Sequence, residues 1–162
     1  MILLVPMSEA EFTAYAAESI PEYAHDKVRS GQWAEADALE LSRKGLADML
    51  PQGVATPDNH LFTLRETEGS VAVGMIWFAV QEQAGRKIAY VYDVGIRPPY
   101  QRRGYATEAF AALEGEVRAR GLSGVGLHVF GHNPGARALY EKLGYETTNL
   151  HMFKKVPRAG DR

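Results

Sequence analysis

Residues 94–106 read Val-Gly-Ile-Arg-Pro-Pro-Tyr-Gln-Arg-Arg-Gly-Tyr-Ala. They join an apolar run to a helical pattern through a short turn, the arrangement in which free backbone N–H groups at a helix start can meet an anion. Gly104, without a Cβ, lets that backbone open toward a ligand, and Gly95 permits close approach to the preceding strand. Arg102 and Arg103 add positive charge. The chemistry this suits is capture of a diphosphate, hence a nucleotide-bearing cofactor. Taken alone, the hexapeptide 101–106 also reads as an ordinary tight turn with two solvated arginines. Better-known nucleotide loops do not fit: no Gly-Lys-Ser or Gly-Lys-Thr is present, and Gly124-Val-Gly126 falls inside a predicted strand rather than after one.

The elements that must position this turn follow from hydrophobic period and punctuation. A first strand is expected over 2–6. Ser8 and Glu11 then form a capping box, with Phe12, Tyr15 and Ala16 on one helical stripe. Pro21 is expected to end or bend that helix. A second helix is predicted over 34–50, with Leu39, Leu46 and Met49 or Leu50 at core spacing and Pro51 as its stop. The period then changes to that of strands over 61–66, 71–80 and 87–96, separated by Glu68-Gly-Ser and Gln83-Ala-Gly turns. A helix over 106–120 (Ala106, Phe110, Leu113, Val117) is closed by Gly121, and a strand over 124–130 completes a strand-helix-strand unit. Asn133-Pro134 starts a last helix through Ala136, Leu139, Tyr140 and Leu143, capped by Gly144, before a final strand over 145–156 and a polar tail over 157–162. The expectation is one α/β domain over 1–156, with a mixed, mostly antiparallel sheet of about seven strands and helices on both faces.

Bulk properties narrow the chemistry. A chain of 162 residues with 18 basic and 20 acidic side chains has a formal charge of −2, which argues against nucleic acid or an anionic membrane surface as a general partner. With no cysteine, disulfides, thiolate metal sites and a cysteine nucleophile are all excluded. The opening Met-Ile-Leu-Leu-Val run lacks a basic flank and is too short for a signal or a spanning helix. A soluble, cytoplasmic protein is expected.

Residues 101–106 resemble the cofactor motif of the Gcn5-related N-acetyltransferase (GNAT) superfamily, which runs Gln or Arg, two residues, Gly, one residue, Gly or Ala. Residues 94–98 resemble that superfamily's central strand, and 133–145 resemble its second motif throughout. The resemblance is clearest over 71–145. It implies that backbone N–H groups from Arg102, Arg103, Gly104, Tyr105, Ala106 and Thr107, in the turn opened by Gln101, hold the diphosphate of acetyl-coenzyme A. It further implies that Val94, Gly95 and Ile96 bind the pantetheine arm as an added strand would. Asn133 matches a position that contacts that arm, and its helix-capping role stands beside this. Tyr140 matches the family's general acid, a phenol of pKa about 10 that can donate to a departing thiolate. On spacing alone it is one more residue of an apolar stripe. A backbone N–H near Gly95 or Ile96 is the expected oxyanion donor.

The resemblance implies acetyl transfer to a primary amine by direct attack, the acceptor being a small molecule or a protein amine. A lysine-like ammonium, of pKa about 10.4, must first lose a proton. Tyr90 stands where many relatives place a glutamate. Tyr90, Tyr92, Asp93 and His128 are the candidate bases, and Asp93 also reads as an anchor for neighbouring backbone. Strand alternation puts Tyr90 and Tyr92 on one face and Asp93 on the other unless a bulge swaps the parity. The competing reading is a non-catalytic acyl-coenzyme A sensor. A homodimer through apolar strand ends or the last hairpin is what family analogy allows. The five histidines, His25, His60, His128, His132 and His151, lack a metal-ligand spacing, so no metal is expected. Tyr23 and Trp33 read either as walls of an acceptor slot or as packing under the first helix.

Overall fold

Ser8 begins the first helix as the sequence requires. Its hydroxyl accepts from the Glu11 N–H at 3.1 Å, and the Glu11 carboxylate accepts from the Ser8 N–H at 2.9 Å. The computed structural model describes residues 1–161; position 162, the last of the expected tail, lies outside them. In chain order the elements are β1 (Leu3–Pro6), α1 (Glu9–Arg29), α2 (Glu35–Met49), β2 (Asn59–Arg65), β3 (Ala72–Gln83), β4 (Arg86–Ile96), α3 (Tyr105–Ala119), β5 (Val125–Leu127) and α4 (Pro134–Lys142).

Among the described residues the sheet has five strands in the order β1-β2-β3-β4-β5, not seven. Three antiparallel pairings are followed by one parallel pairing, β4 with β5. The mixed, mostly antiparallel character is as expected. The expected last strand is absent: residues 145–158 form neither helix nor strand, and β5 spans three residues rather than seven. A strand exists only against a partner, and so short an edge offers little to pair with. Leu150, Met152 and Phe153 are accordingly 69%, 85% and 90% exposed.

Helices cover both sheet faces, and register assigns them. Phe62, Leu64, Ile76, Phe78, Ala89 and Val91 lie on one face, buried against Phe110, Leu113 and Val117 of α3, with Tyr140 and Leu143 of α4 packed on the same cluster. Leu61 and Trp77 lie on the other, with Met7 and Leu50, against Phe12 and Tyr15 of α1 and Leu46 of α2. Helix α1 does not end at Pro21 but continues past it to Arg29. Pro21 is exposed, and so is Ala17, whose carbonyl it leaves without a partner, so water can satisfy that group. In α2 the core face is made by small residues: Ala38 and Ser42 are buried, and the Ser42 hydroxyl donates to the Ile20 carbonyl at 2.7 Å. Leu39, expected in the core, is 46% exposed, and Met49 is exposed too. No helix among the described residues is long and apolar enough to cross a membrane.

Candidate functional site

The site is organised by how β4 ends. Its pairing with β5 covers only Ala89–Val91 against Val125–Leu127, while β4 itself continues to Ile96. From Tyr92 onward one side of β4 therefore has no strand beside it. Which backbone groups face that gap follows from alternation. The Arg97 N–H donates to the Val73 carbonyl at 2.8 Å. Gly95, two residues earlier, then pairs across to Met75, and the N–H and C=O groups of Val94 and Ile96 point into the gap. The Gln101 side-chain amide donates to the Ile96 carbonyl at 2.9 Å, as that orientation requires. Gly95 is exposed and a Cβ added to it would meet nothing, so the approach to this edge is clear.

The turn beyond β4 is held open by backbone conformation. Gly104 is the N-cap of α3 at φ 82°, with no side chain capping the helix and open space where its Cβ would be. Arg102 also has a positive φ, 60°, which a non-glycine residue adopts at a cost of about 1–2 kcal/mol. The first N–H of α3 to find a helical partner is that of Glu108, on the Gly104 carbonyl at 3.1 Å. The amides of Tyr105, Ala106 and Thr107 precede it, at the positive end of the helix dipole. Arg102 and Arg103 are exposed; the Arg103 guanidinium lies 5.8 Å from the Tyr100 ring centre, and the Tyr105 hydroxyl donates to Glu66. A diphosphate fits such a cradle: free donors, local positive charge and no Cβ in the way.

A bulge decides the other half of the site. Trp77 pairs with Asp93 and Phe78 with Val91, leaving Tyr92 as the extra residue of β4. Tyr90, Tyr92 and Asp93 are thereby brought to one sheet face, the one covered by α1. The Tyr92 ring lies 4.9 Å from Trp77 and 5.0 Å from Tyr90, and a Cβ on Gly126 would make a tight 3.3 Å contact with the Tyr90 ring. Asp93 Oδ2 accepts a 2.7 Å hydrogen bond from the Tyr15 hydroxyl of α1. Burial raises the Asp93 pKa above the usual carboxylate range, and its bonds from Tyr15 and the Val94 backbone oppose that rise. Glu22, two turns further along α1, is also pushed up, by burial and then by Asp93, Asp26 and Glu18.

Tyr140 enters from α4. Its ring packs edge-on to Phe110 at 5.4 Å and lies 5.8 Å from Tyr145. Burial, then the charge of Asp93, raises its pKa, so it remains a protonated donor. Asn133 caps α4, accepting from the Ala136 N–H at 3.2 Å. Tyr90 is raised as well, chiefly by burial. His128 is exposed and its pKa is lowered by desolvation and then by Lys27, while His132 bonds Asp26 at 2.9 Å. No group of three or more potential ligands suited to a metal ion occurs among the described residues. Tyr23 meets Trp33 edge-on at 5.7 Å, with the Lys27 ammonium 5.5 and 5.4 Å from the two ring centres. Sequence reasoning singled out neither Tyr15 as more than a core residue nor Glu22 at all. The stripe 15, 19, 22, 26 on α1 was the available signal.

Three comparisons bear on this geometry. The model of the "Acetyltransferase (GNAT) family" matches residues 21–145. The chain is 39% identical over 155 residues to the uncharacterized N-acetyltransferase YycN of Bacillus subtilis, covering 96% of this chain and 99% of that one. It is 31% identical to the uncharacterized N-acetyltransferase YdgE of the same organism, covering 94% and 97%. The crystal structure of YycN superposes with a TM-score of 0.92 over 98% of this chain and 100% of that one. AAC(6')-Iy in complex with the bisubstrate analog CoA-S-monomethyl-acetylneamine shares the fold at 14% identity, with a TM-score of 0.59 over 98% and 99% of the two chains.

Proposed function

The chain belongs to the GNAT acetyltransferase family, and from that premise we propose that it moves the acetyl group of acetyl-coenzyme A to a primary amine by direct attack, in the cytoplasm. The observation that carries this reading is the gap beside β4, which opens where β5 ends and runs up to the turn capped by Gly104; Asp93 lies on that stretch of β4, and Tyr140 of α4 is near enough to feel its charge. A neighbour of the same fold that accommodates a coenzyme A–amine bisubstrate analog supports it.

In this reading the amides of Arg102 to Thr107 hold the diphosphate, and Gln101 fixes the turn through the Ile96 carbonyl. Along the edge formed by Val94, Gly95 and Ile96, the Val94 carbonyl takes the pantetheine arm as a strand would be taken, the Ile96 carbonyl being engaged by Gln101. Acetyl-coenzyme A, when bound, supplies the electrophilic thioester carbonyl and the thiolate leaving group. Of the expected oxyanion donors the alternation favours the Ile96 N–H, because Gly95 is paired to β3 and the Val94 N–H interacts with Asp93. Asp93, rather than Tyr90, accepts the proton of the incoming ammonium. A buried phenol raised above its ordinary value is the poorer base at neutral pH, whereas a carboxyl raised by burial moves toward the working range. Tyr140 Oη donates its proton to the departing sulfur. Asn133 keeps the start of its helix in place. The exposed Leu150, Met152, Phe153 and Val156 favour a homodimer.

The test is a panel of small amines and peptide amines assayed for coenzyme A release. At least one amine is turned over, and Tyr140→Phe lowers kcat by about 10²-fold with the KM for acetyl-coenzyme A nearly unchanged. If calorimetry shows acetyl-coenzyme A binding while no amine is used, the protein is a sensor rather than a transferase.

A further inference from the structure

We infer that Tyr15 is a positioning residue of this site: its hydroxyl, delivered by α1 to the β4 bulge, holds Asp93 in the orientation and charge state in which the carboxylate takes the proton of the acceptor ammonium. The inference rests on the role given above to Asp93. Its proton balance is simple: one N–H bond of the ammonium breaks, an O–H bond forms on Asp93, and the neutral amine keeps the electron pair.

Three observations carry it. The hydrogen bond is well formed, 2.7 Å between residues 78 positions apart. The Tyr15 ring is not free to adapt, because it packs on the cluster of Met7, Leu50, Leu61 and Trp77, with Phe12 at 6.3 Å. Phenylalanine would fill that place equally well, so the hydroxyl serves something other than packing. Finally, the groups that bear on Asp93 are otherwise anionic or neutral: Glu22 and Asp26 on α1 and Tyr140 on α4. Beside the Val94 backbone, Tyr15 is the donor that favours the charged carboxylate, and burial with the Asp93 charge keeps Tyr15 protonated.

Tyr15→Phe keeps the ring and deletes the donor. The acidic limb of the kcat/KM profile then moves to higher pH, with roughly tenfold loss below the limb, the scale of a hydrogen bond to a charged group, and recovery above it. The ¹³C carboxyl resonance of Asp93, assigned with Asp93→Asn, titrates at higher pH in Tyr15→Phe than in the wild type. In the Asp93→Asn background, Tyr15→Phe changes the residual rate no further. A loss that is uniform with pH, or an Asp93 resonance that titrates as in the wild type, makes Tyr15 a packing residue and overturns the inference. If the wild-type protein acetylates no amine, the transferase reading fails by itself. The carboxyl titration still decides whether Tyr15 governs Asp93.

Discussion

The two sides of the gap beside β4 are built from different materials. The turn over 97–107 is made of backbone: a left-handed Gly104, a left-handed Arg102, unpaired amides at the start of α3, and strand groups freed because β5 ends early. The α1 side is made of side chains, with Tyr15, Glu22 and Asp93 brought together over long sequence separations. The difference says which substitutions each side tolerates. A backbone-built cradle depends on glycines and is indifferent to much else; a side-chain-built pocket depends on single functional groups and hardly on conformation. It also fits a division of labour in which a constant ligand is held by main chain and a variable one by side chains.

The largest effect is expected at Gly74, where the backbone side has no slack. Gly74 is buried opposite Ile96, and a Cβ there would stand 2.2 Å from the Gly95 carbonyl oxygen. Because that neighbour is main chain in the middle of a paired sheet, it cannot move aside. Gly74→Val is expected to destabilise the fold by about 3 kcal/mol or more, read as the shift of the denaturant midpoint. A variant as stable as the wild type would show that β3 and β4 can part here, and the gap would lose its fixed wall. Gly104→Val comes next. The space around it is open, so its effect is strain at φ 82° rather than collision, about 1–2 kcal/mol. Acetyl-coenzyme A affinity should fall about tenfold in calorimetry with the fold intact. Unchanged affinity would contradict a backbone-made cradle.

The same contrast explains what could be read in the sequence. Where local chemistry decides, the reading holds for the Ser8 and Glu11 capping box, the glycine caps at Gly121 and Gly144, and the Ala84-Gly85 turn between β3 and β4, all visible in a few adjacent letters; Pro21, which α1 runs past, is the exception. Wherever a distant partner decides, it does not. Alternating apolar residues after Tyr145 look like a strand, but a strand needs an edge, and β5 offers three residues. Leu39 has core spacing, yet α2 approaches α1 through Ala38 and Ser42. The parity of Asp93 turned on a bulge that no spacing reveals, and the Tyr15 to Asp93 bond joins positions whose proximity only the fold creates.

The smallest expected effect sharpens the side-chain half, because there stability and function should pull apart. Asp93 binds its proton more tightly in the fold than in the unfolded chain, with burial as the main cause. A carboxyl shifted upward contributes stability that is fully present below its unfolded pKa, near 4, and is lost as pH rises through the folded value. Asp93→Asn removes that loss while leaving an oxygen for the Tyr15 hydroxyl to donate to. The variant should therefore match the wild type in melting temperature in acid and exceed it at neutral pH, by on the order of 1 kcal/mol, while its turnover falls. A cradle made of main chain has no such trade, since its glycines serve fold and ligand alike. If Asp93→Asn were less stable than the wild type at neutral pH, the carboxylate would be a structural anchor. The α1 side would then be built on the same terms as the turn it faces.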